Sequence, residues 1–350
     1  AYGHGLVPIA QAAQSMGIDY LGVSCLQEAV LLRQAGIQCR ILVLGSINER
    51  QVSEFLTYHL ELTISSLAKA KLLARACAGK KDKVKVHVKV DTGMHRTGTR
   101  VDSTEEVLNY ICDSGCFEVV GIYSHFATSD RPDDPFAKAQ IEMFRRFKEK
   151  AEKDFPKAIF HLANSGGIVH YPESHFDMVR PGKLVFGVYP TDLLPTQSTF
   201  TVKAKISYFK VVPANQGVSY GHTHRTSTQT RVVTVPLGYG DGYRRGLSNK
   251  SHVLIHGKKY PVIGTICMDQ FMVDIGEDSA YVGDEVVLVG RQGNNEITLE
   301  YLAQLCDTIP SEMLCGFNDR LPRMYVDDME SYWEYNTLKR STLLKEGEIA

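Results

Sequence analysis

The stretch VKVHVKVDTGMHR, residues 84–96, decides how the rest of the chain is read. Val84, Val86, Val88 and Val90 alternate with Lys85, His87 and Lys89, and a period of two belongs to a β-strand. The valines fit a face covered by helices, which turns Lys85, His87 and Lys89 toward the interior of a barrel. A row of basic side chains in such an interior is costly unless it meets anions or water. Lys89 stands at the C-terminal end of its strand, the end where barrel enzymes carry their active sites, and the turn DTGMH brings Arg96 back to the same mouth. A solvated strand end is the plainer reading of the same residues.

Around this stretch, short β-branched runs alternate with helical patterns. The expected strands are 19–24, 40–45, 62–65, 84–90, 118–126, 158–163 and 178–190. Helical spacing marks LVPIAQAAQSMG, LQEAVLLRQAG, SLAKAKLLARACAG, STEEVLNYI and FAKAQIEMFRRFKEKAEK. Repeated βα units imply a parallel sheet, open or closed into a barrel. Seven strands are one short of an eight-stranded barrel, and AYGHG, residues 1–5, runs straight into a helix, which places the absent strand before Ala1. After residue 196 the texture changes to hairpin-like strands, with a single late helix at TLEYLAQLCDTI. The expected architecture is a (β/α)8-type barrel lacking its first strand over residues 1–196, a mainly antiparallel β domain over 197–343 and a frayed tail over 344–350.

A chain of 350 residues buries enough surface for two domains without staples. With 39 basic and 40 acidic residues it offers no field of one sign to nucleic acid or to an anionic membrane. No apolar run reaches the ~20 residues of a membrane span. The expectation is a soluble, cytoplasmic protein whose partner is a small molecule or a second copy. The eight cysteines form no CxxC pair and suit buried, reduced thiols. His222 and His224 are the one close histidine pair, too little for a zinc site, and no metal is expected.

The other strand ends carry chemistry as well. His125 closes one strand, Asn164 and Ser165 follow another, and Arg180 with Gly182 lies in MVRPG. One isolated histidine is more often a satisfied core residue, but several strands delivering His, Asn, Ser, Arg and Lys to one face point to a site. Ser165, Gly166, Gly167 and Gly182 leave backbone N–H groups open, which suits a phosphate.

AYGHG, KVDTGMHR, SHFATSD, HLANSGG, MVRPG, VSYG, GYGDGY and GTICMDQ occur in an order and at a spacing that resembles the alanine racemases, pyridoxal-phosphate enzymes built from a barrel and a β domain. The resemblance covers nearly the whole chain. It implies interconversion of L- and D-alanine, pyridoxal 5'-phosphate as cofactor, alanine as substrate and a homodimer. Tyr2 matches the family's phosphate-binding tyrosine, and Asn164, Ser165 and the backbone near Gly182 and Lys183 would join it. Arg180 would face the pyridine nitrogen and, being unable to give up a proton, keep it unprotonated. Arg96 would contact the cofactor's phenolic oxygen and the substrate carboxylate. A bare ammonium at Lys89 would repel Arg96, and the family often carbamylates this lysine. Tyr220 resembles the family's base for one face of Cα, with His125, Arg180 and His161 in series behind it, and Tyr220, Met268 and Asp269 would reach the barrel of a second subunit.

By the same resemblance the lysine that binds the cofactor covalently lies upstream of Ala1, so the chain as written is expected to be truncated and to have little activity. Asp319 falls where some relatives place a hydroxyl near the phosphate and is left out of the site, while His222 and His224 would line the entrance. Two other readings stand beside the first. One is another barrel-type pyridoxal-phosphate enzyme such as an amino-acid decarboxylase, against which Tyr220 and the CMDQ segment speak. The other is a non-catalytic relative that binds cofactor.

Overall fold

The computed structural model describes residues 1–189, 192–327, 331–336 and 339–342, so the expected tail at 344–350 lies outside the described residues. The chain divides into two compact units: Leu6–Val185 with Thr191–Pro195, and Ala1–Gly5 with Phe186–Pro190 and Thr196–Ala350.

In the first unit, strands β1 (Tyr20–Val23), β2 (Arg40–Val43), β3 (Glu61–Ile64), β4 (Val84–Asp91), β5 (Thr99–Arg100), β6 (Phe117–Tyr123) and β7 (Ile159–His161) are all parallel. Helices α1 (Leu6–Ser15), α2 (Leu26–Gln34), α3 (Val52–Thr57), α4 (Leu67–Cys77), α5 (Thr104–Asp113), α6 (Pro135–Ala151) and α7 (Ser165–His170) alternate with them. Their starts are written locally. Asp134 accepts from the N–H groups of Phe136 and Ala137 and is followed by Pro135, and Ser66 accepts from Lys69 N–H.

The strand order is β1-β2-β3-β4-β6-β7, with β5 beside β4. The order follows the sequence without the reversal that defines a doubly wound sheet, so the sheet is of barrel type. Over the described residues 178–189 the strand expected at 178–190 does not form. Only Met178 bridges to His161, and Lys183–Phe186 is a short 3-10 turn. Pro181 has no N–H for a ladder and Gly182 weakens extended pairing, so the apolar residues around them misled the reading.

The two-residue period of β4 sorts its side chains with one exception. Val84, Val86, Val88 and Val90 are buried, as are His87 and Lys89, but Lys85 is exposed at the start of the strand. The buried basic row therefore has two members, not three. The same parity carries through the sheet: Leu62, Ile64, Ile122, Phe160 and Leu162 are buried, and Phe160 meets Phe144 of α6 edge to face.

The second unit contains β8 (Val202–Lys205), β9 (Tyr208–Val212), β10 (Gly217–Val218), β11 (His224–Arg225), β12 (Thr230–Val235), β13 (His252–Ile255), β14 (Lys258–Ile263), β15 (Phe271–Gly276), β16 (Glu285–Gln292), β17 (Asn295–Ile297), β18 (Arg323–Asp327), β19 (Ser331–Asn336) and β20 (Lys339–Thr342). Its main sheet runs β17-β16-β13-β14-β15-β12-β9, with β8 on β16, and its pairings are antiparallel. Alternate residues such as Val233, Val235, Phe271 and Val273 fill the core. Where one late helix was expected there are two, α8 (Leu299–Leu305) and α9 (Pro310–Gly316), divided at Asp307 with φ 52° and restarted by Pro310 at the first helical position.

All eight cysteines are free, but only Cys77 is buried, and Cys112 and Cys315 are exposed, so the expectation of buried thiols fails for most of them. Among the described residues no helix is long and apolar enough to cross a membrane.

Candidate active site

The inner face of the parallel sheet is lined by polar side chains joined in one hydrogen-bonded series. Arg180 donates to His161 Nδ1 at 2.6 Å. His161 Nε2 lies 2.9 Å from His87 Nδ1, and His87 Nε2 lies 2.8 Å from Glu61 Oε2. Glu61 also accepts from Arg40 Nε at 2.6 Å and from the Tyr20 hydroxyl at 3.0 Å. Burial raises the Glu61 carboxyl, but the hydrogen bonds from His87 and Arg40 and the charge of Arg40 outweigh it and hold the group below the usual carboxylate range. Burial lowers His161 far below an ordinary imidazole, with Arg180 adding to the effect, and lowers His87 despite Glu61.

At the C-terminal mouth both Nη atoms of Arg180 are engaged. Its second Nη donates to the carbonyls of Ser124 at 2.7 Å and Leu162 at 2.9 Å and to His125 Nδ1 at 3.3 Å, so His125, Arg180 and His161 do form a series. Tyr123 stacks flat on His161, with ring centroids 4.8 Å apart, and its hydroxyl lies 3.0 Å from Thr63 Oγ1. Burial and the charges of Arg180, Arg96 and Lys89 drive His125 down to about 3. Burial lowers Arg180 to about 10, which leaves it a cation near neutrality. Lys89 donates to Thr97 Oγ1 at 2.7 Å and is pulled down to about 8 by burial and by the charges of Arg96 and Arg180, with Asp91 opposing.

Asn164 and Ser165 start α7. Asn164 Oδ1 accepts from Ser129 Oγ at 2.7 Å and Gly167 N–H at 3.0 Å, and Ser165 Oγ accepts from the N–H groups of Gly182 at 3.0 Å and Leu184 at 3.2 Å. The Lys183 ammonium faces Asp130 at 3.4 Å, which fits a role for its backbone rather than its side chain.

The remaining expected site residues lie in the second unit. Tyr2 leans on Phe186, and its turn is anchored by Arg323 Nε donating to Gly3 O at 2.7 Å and by the Tyr325 hydroxyl donating to His4 O at 2.6 Å. Asp319 faces Arg323 at 3.5 Å. Tyr220 is 73% exposed on a turn where Ser219, Gly221 and His222 have φ of 63°, 71° and 46°. Ser219 Oγ donates to Thr265 O at 2.5 Å, and Thr265 Oγ1 donates to Tyr220 O at 2.9 Å, which fixes the turn. Met268 is exposed, and Asp269 pairs with Arg320 at 2.7 Å.

The sequence reading named Lys89, Arg96, His125, His161, Arg180 and Ser165, all of which lie in the first unit, but did not single out Glu61, Tyr20, Arg40 and Tyr123. Glu61 was the available signal, a lone carboxylate opening an apolar run beside a row of bases that required an anion.

The first unit thus holds Lys89, Arg96 and Arg180 about one mouth, the acidic Asp91 being the one anion that raises Lys89. That surplus of positive charge suits an anionic ligand, whereas the N–H groups of Gly167 and Gly182, expected to be open, already donate to Asn164 Oδ1 and Ser165 Oγ. Fold and site together define a barrel-type protein with a cationic mouth suited to an anionic ligand.

Residues 1–190 match the model of the alanine racemase N-terminal domain and residues 199–325 that of the alanine racemase C-terminal domain. The chain is 39% identical over 346 residues to alanine racemase 2 of Caldanaerobacter subterraneus, covering 97% of this chain and 89% of that one. It is 40% identical to alanine racemase of Symbiobacterium thermophilum, covering 93% and 88%. Among solved structures it is similar to alanine racemase from Bacillus anthracis with bound L-Ala-P, at TM-score 0.90 and 30% identity over 96% of this chain and 89% of that one. The enzyme from Streptomyces lavendulae gives 0.88 and 36% over 94% and 89%. The chain belongs to the alanine racemase family, whose members depend on pyridoxal phosphate. Matches to both domain models set the decarboxylase reading aside.

Proposed function

We propose that this chain interconverts L- and D-alanine with pyridoxal 5'-phosphate held at the barrel mouth, and that Tyr220 of a second copy exchanges the proton on one face of Cα. The observation that carries the reading is Arg180, fixed by two histidines and two carbonyls so that one rigid cation stands in the mouth. When bound, the cofactor supplies an electron sink that acidifies the Cα–H bond. Arg180 would face the pyridine nitrogen. A guanidinium does not surrender its proton, so that nitrogen stays unprotonated and the sink stays modest, which limits side reactions.

Ser165, Asn164 and the backbone at Gly182 and Lys183 would hold the phosphate, and Arg96 would hold the substrate carboxylate. With Lys89 lowered to about 8, a fraction of its amine is free base near neutrality and open to CO2. The N–C bond forms, a proton leaves, and the resulting carbamate orients Arg96 instead of repelling it. His125 accepts from Arg180 at Nδ1, so its proton sits on Nε2, where it can donate to a phenol.

Support for a dimer comes from Tyr220, Met268 and Asp269, which the second unit presents outward on a fixed turn and loop. Tyr220→Phe should lower kcat by about 10²–10⁴-fold, the range of a general acid–base group, while the cofactor absorbance persists. Mixed with a barrel variant such as Arg180→Ala under subunit exchange, it should recover about a quarter of parental activity, because half of the dimers then carry one intact site. Parental turnover in Tyr220→Phe, or no recovery on proven exchange, would refute the reading.

A further inference from the structure

Arg180 sets the protonation of every group behind it. A guanidinium can only donate, so His161 Nδ1 must be bare and its proton must sit on Nε2. That proton points at His87 Nδ1, which must therefore be bare too, leaving the His87 proton on Nε2 facing Glu61. Glu61 receives three donors, from His87, Arg40 and Tyr20, and needs no proton of its own. The series is polarised in one direction, with a cation at the mouth, two neutral imidazoles and a carboxylate that is 3% exposed at the first residue of β3.

An independent feature shows that the sheet is built around this series. His87 on β4 and His161 on β7 are separated by β6, so their rings meet only by passing over it. The residue beneath is Gly121, where a Cβ would overlap the His87 imidazole. The ladder between β4 and β6 slips between Val86 and His87, pairing Val86 with Val119 but His87 with Gly121. The irregularity sets the one residue without a side chain under the ring.

We propose that Glu61 and His87 are positioning residues for the reaction, acting through His161 to fix the orientation and hydrogen bonding of Arg180 at the cofactor. Glu61, ion-paired with Arg40, is the acceptor at the far end of the series. It draws the His87 proton, which makes His87 Nδ1 a better acceptor for His161, and that in turn makes His161 Nδ1 a better acceptor for Arg180. The inference rests on Arg180 facing the cofactor as proposed above.

The test compares parent, Glu61→Gln, Glu61→Asp, Gly121→Ala and Arg180→Lys in the cofactor-loaded protein. Long-range ¹H–¹⁵N spectra of the parent should show His161 and His87 neutral, both protonated at Nε2. Glu61→Gln keeps the shape and removes the charge. It should speed exchange of the Arg180 guanidinium protons and lower kcat, each by about tenfold, with KM for alanine within about twofold, and Glu61→Asp should restore part of both. Gly121→Ala, which displaces the His87 ring and leaves Glu61 in place, should reproduce the Glu61→Gln effects and serves if that variant does not fold. A proton on Nδ1 of either ring, or parental exchange and kcat in a folded Glu61→Gln or Gly121→Ala while Arg180→Lys shifts cofactor absorbance, would overturn this inference alone. Unchanged absorbance and kcat in Arg180→Lys would overturn the cofactor-site reading and this inference with it.

Discussion

Replacing Lys89 by methionine should stabilise the cofactor-free protein at neutral pH. Lys89 is 6% exposed and shares its pocket with Arg96 and Arg180, and Asp91 offsets them only in part. Its pKa falls from 10.5 to about 8, which corresponds to about 3 kcal/mol of destabilisation wherever the folded state carries the charge. Below pH 8 both folded and unfolded chains hold the proton and the full penalty applies. Between pH 8 and 10.5 the unfolded chain keeps a proton that the folded chain has released, so stability rises with pH, and above 10.5 the penalty is gone. Methionine fills a similar volume without the charge and gives up the bond to exposed Thr97, the placement of the ammonium over the Tyr123 ring and the attraction of Asp91. Urea unfolding in CO2-free buffer should show Lys89→Met more stable by about 2 to 3 kcal/mol at pH 7, with the gap closing toward pH 10. Added bicarbonate should narrow the gap at pH 8 by stabilising the parent alone. A variant less stable than the parent at pH 7, or a gap that ignores pH, would refute the electrostatic account.

His125, lowered to about 3, should remain neutral in an NMR titration to pH 4.5, so the acid limb of the rate profile belongs to another group. His125, His87 and His161 are all lowered in the fold, so the unfolded chain binds more protons once pH falls below 6.5, and urea midpoints should drop on acidification through that value. Gly238→Ala would press a methyl group against the carbonyl oxygens of Cys267 and Met268. It should cost about 1–3 kcal/mol by thermal unfolding and raise KM through the displaced Met268 segment without altering cofactor absorbance.

What the sequence revealed and what it hid divide along a physical line. Local patterns were readable: the alternation in β4 assigns His87 and Lys89 to the inner face, and helical spacing marks α6. Lys85 breaks the pattern because it lies at the N-terminal end of its strand, where a side chain reaches water. Residues 178–190 carried enough apolar character to resemble a strand, yet Pro181 and two glycines left a single bridge. The partnership of Glu61 with His87 was hidden for a different reason. It depends on the parallel register that sets Thr63 beside His87, and register is a property of the assembled sheet rather than of either segment.

Gly121 and His87 also constrain the order in which this sequence can change. Any side chain at position 121 meets the imidazole while the histidine is present, so a first step from glycine displaces the ring unless position 87 has already shrunk. Loss of the histidine first strands the His161 proton and the Glu61 carboxylate without their partner. Each single step therefore passes through a worse protein, and the pair should drift together or stay put, a barrier on the mutational path that neither residue imposes by itself.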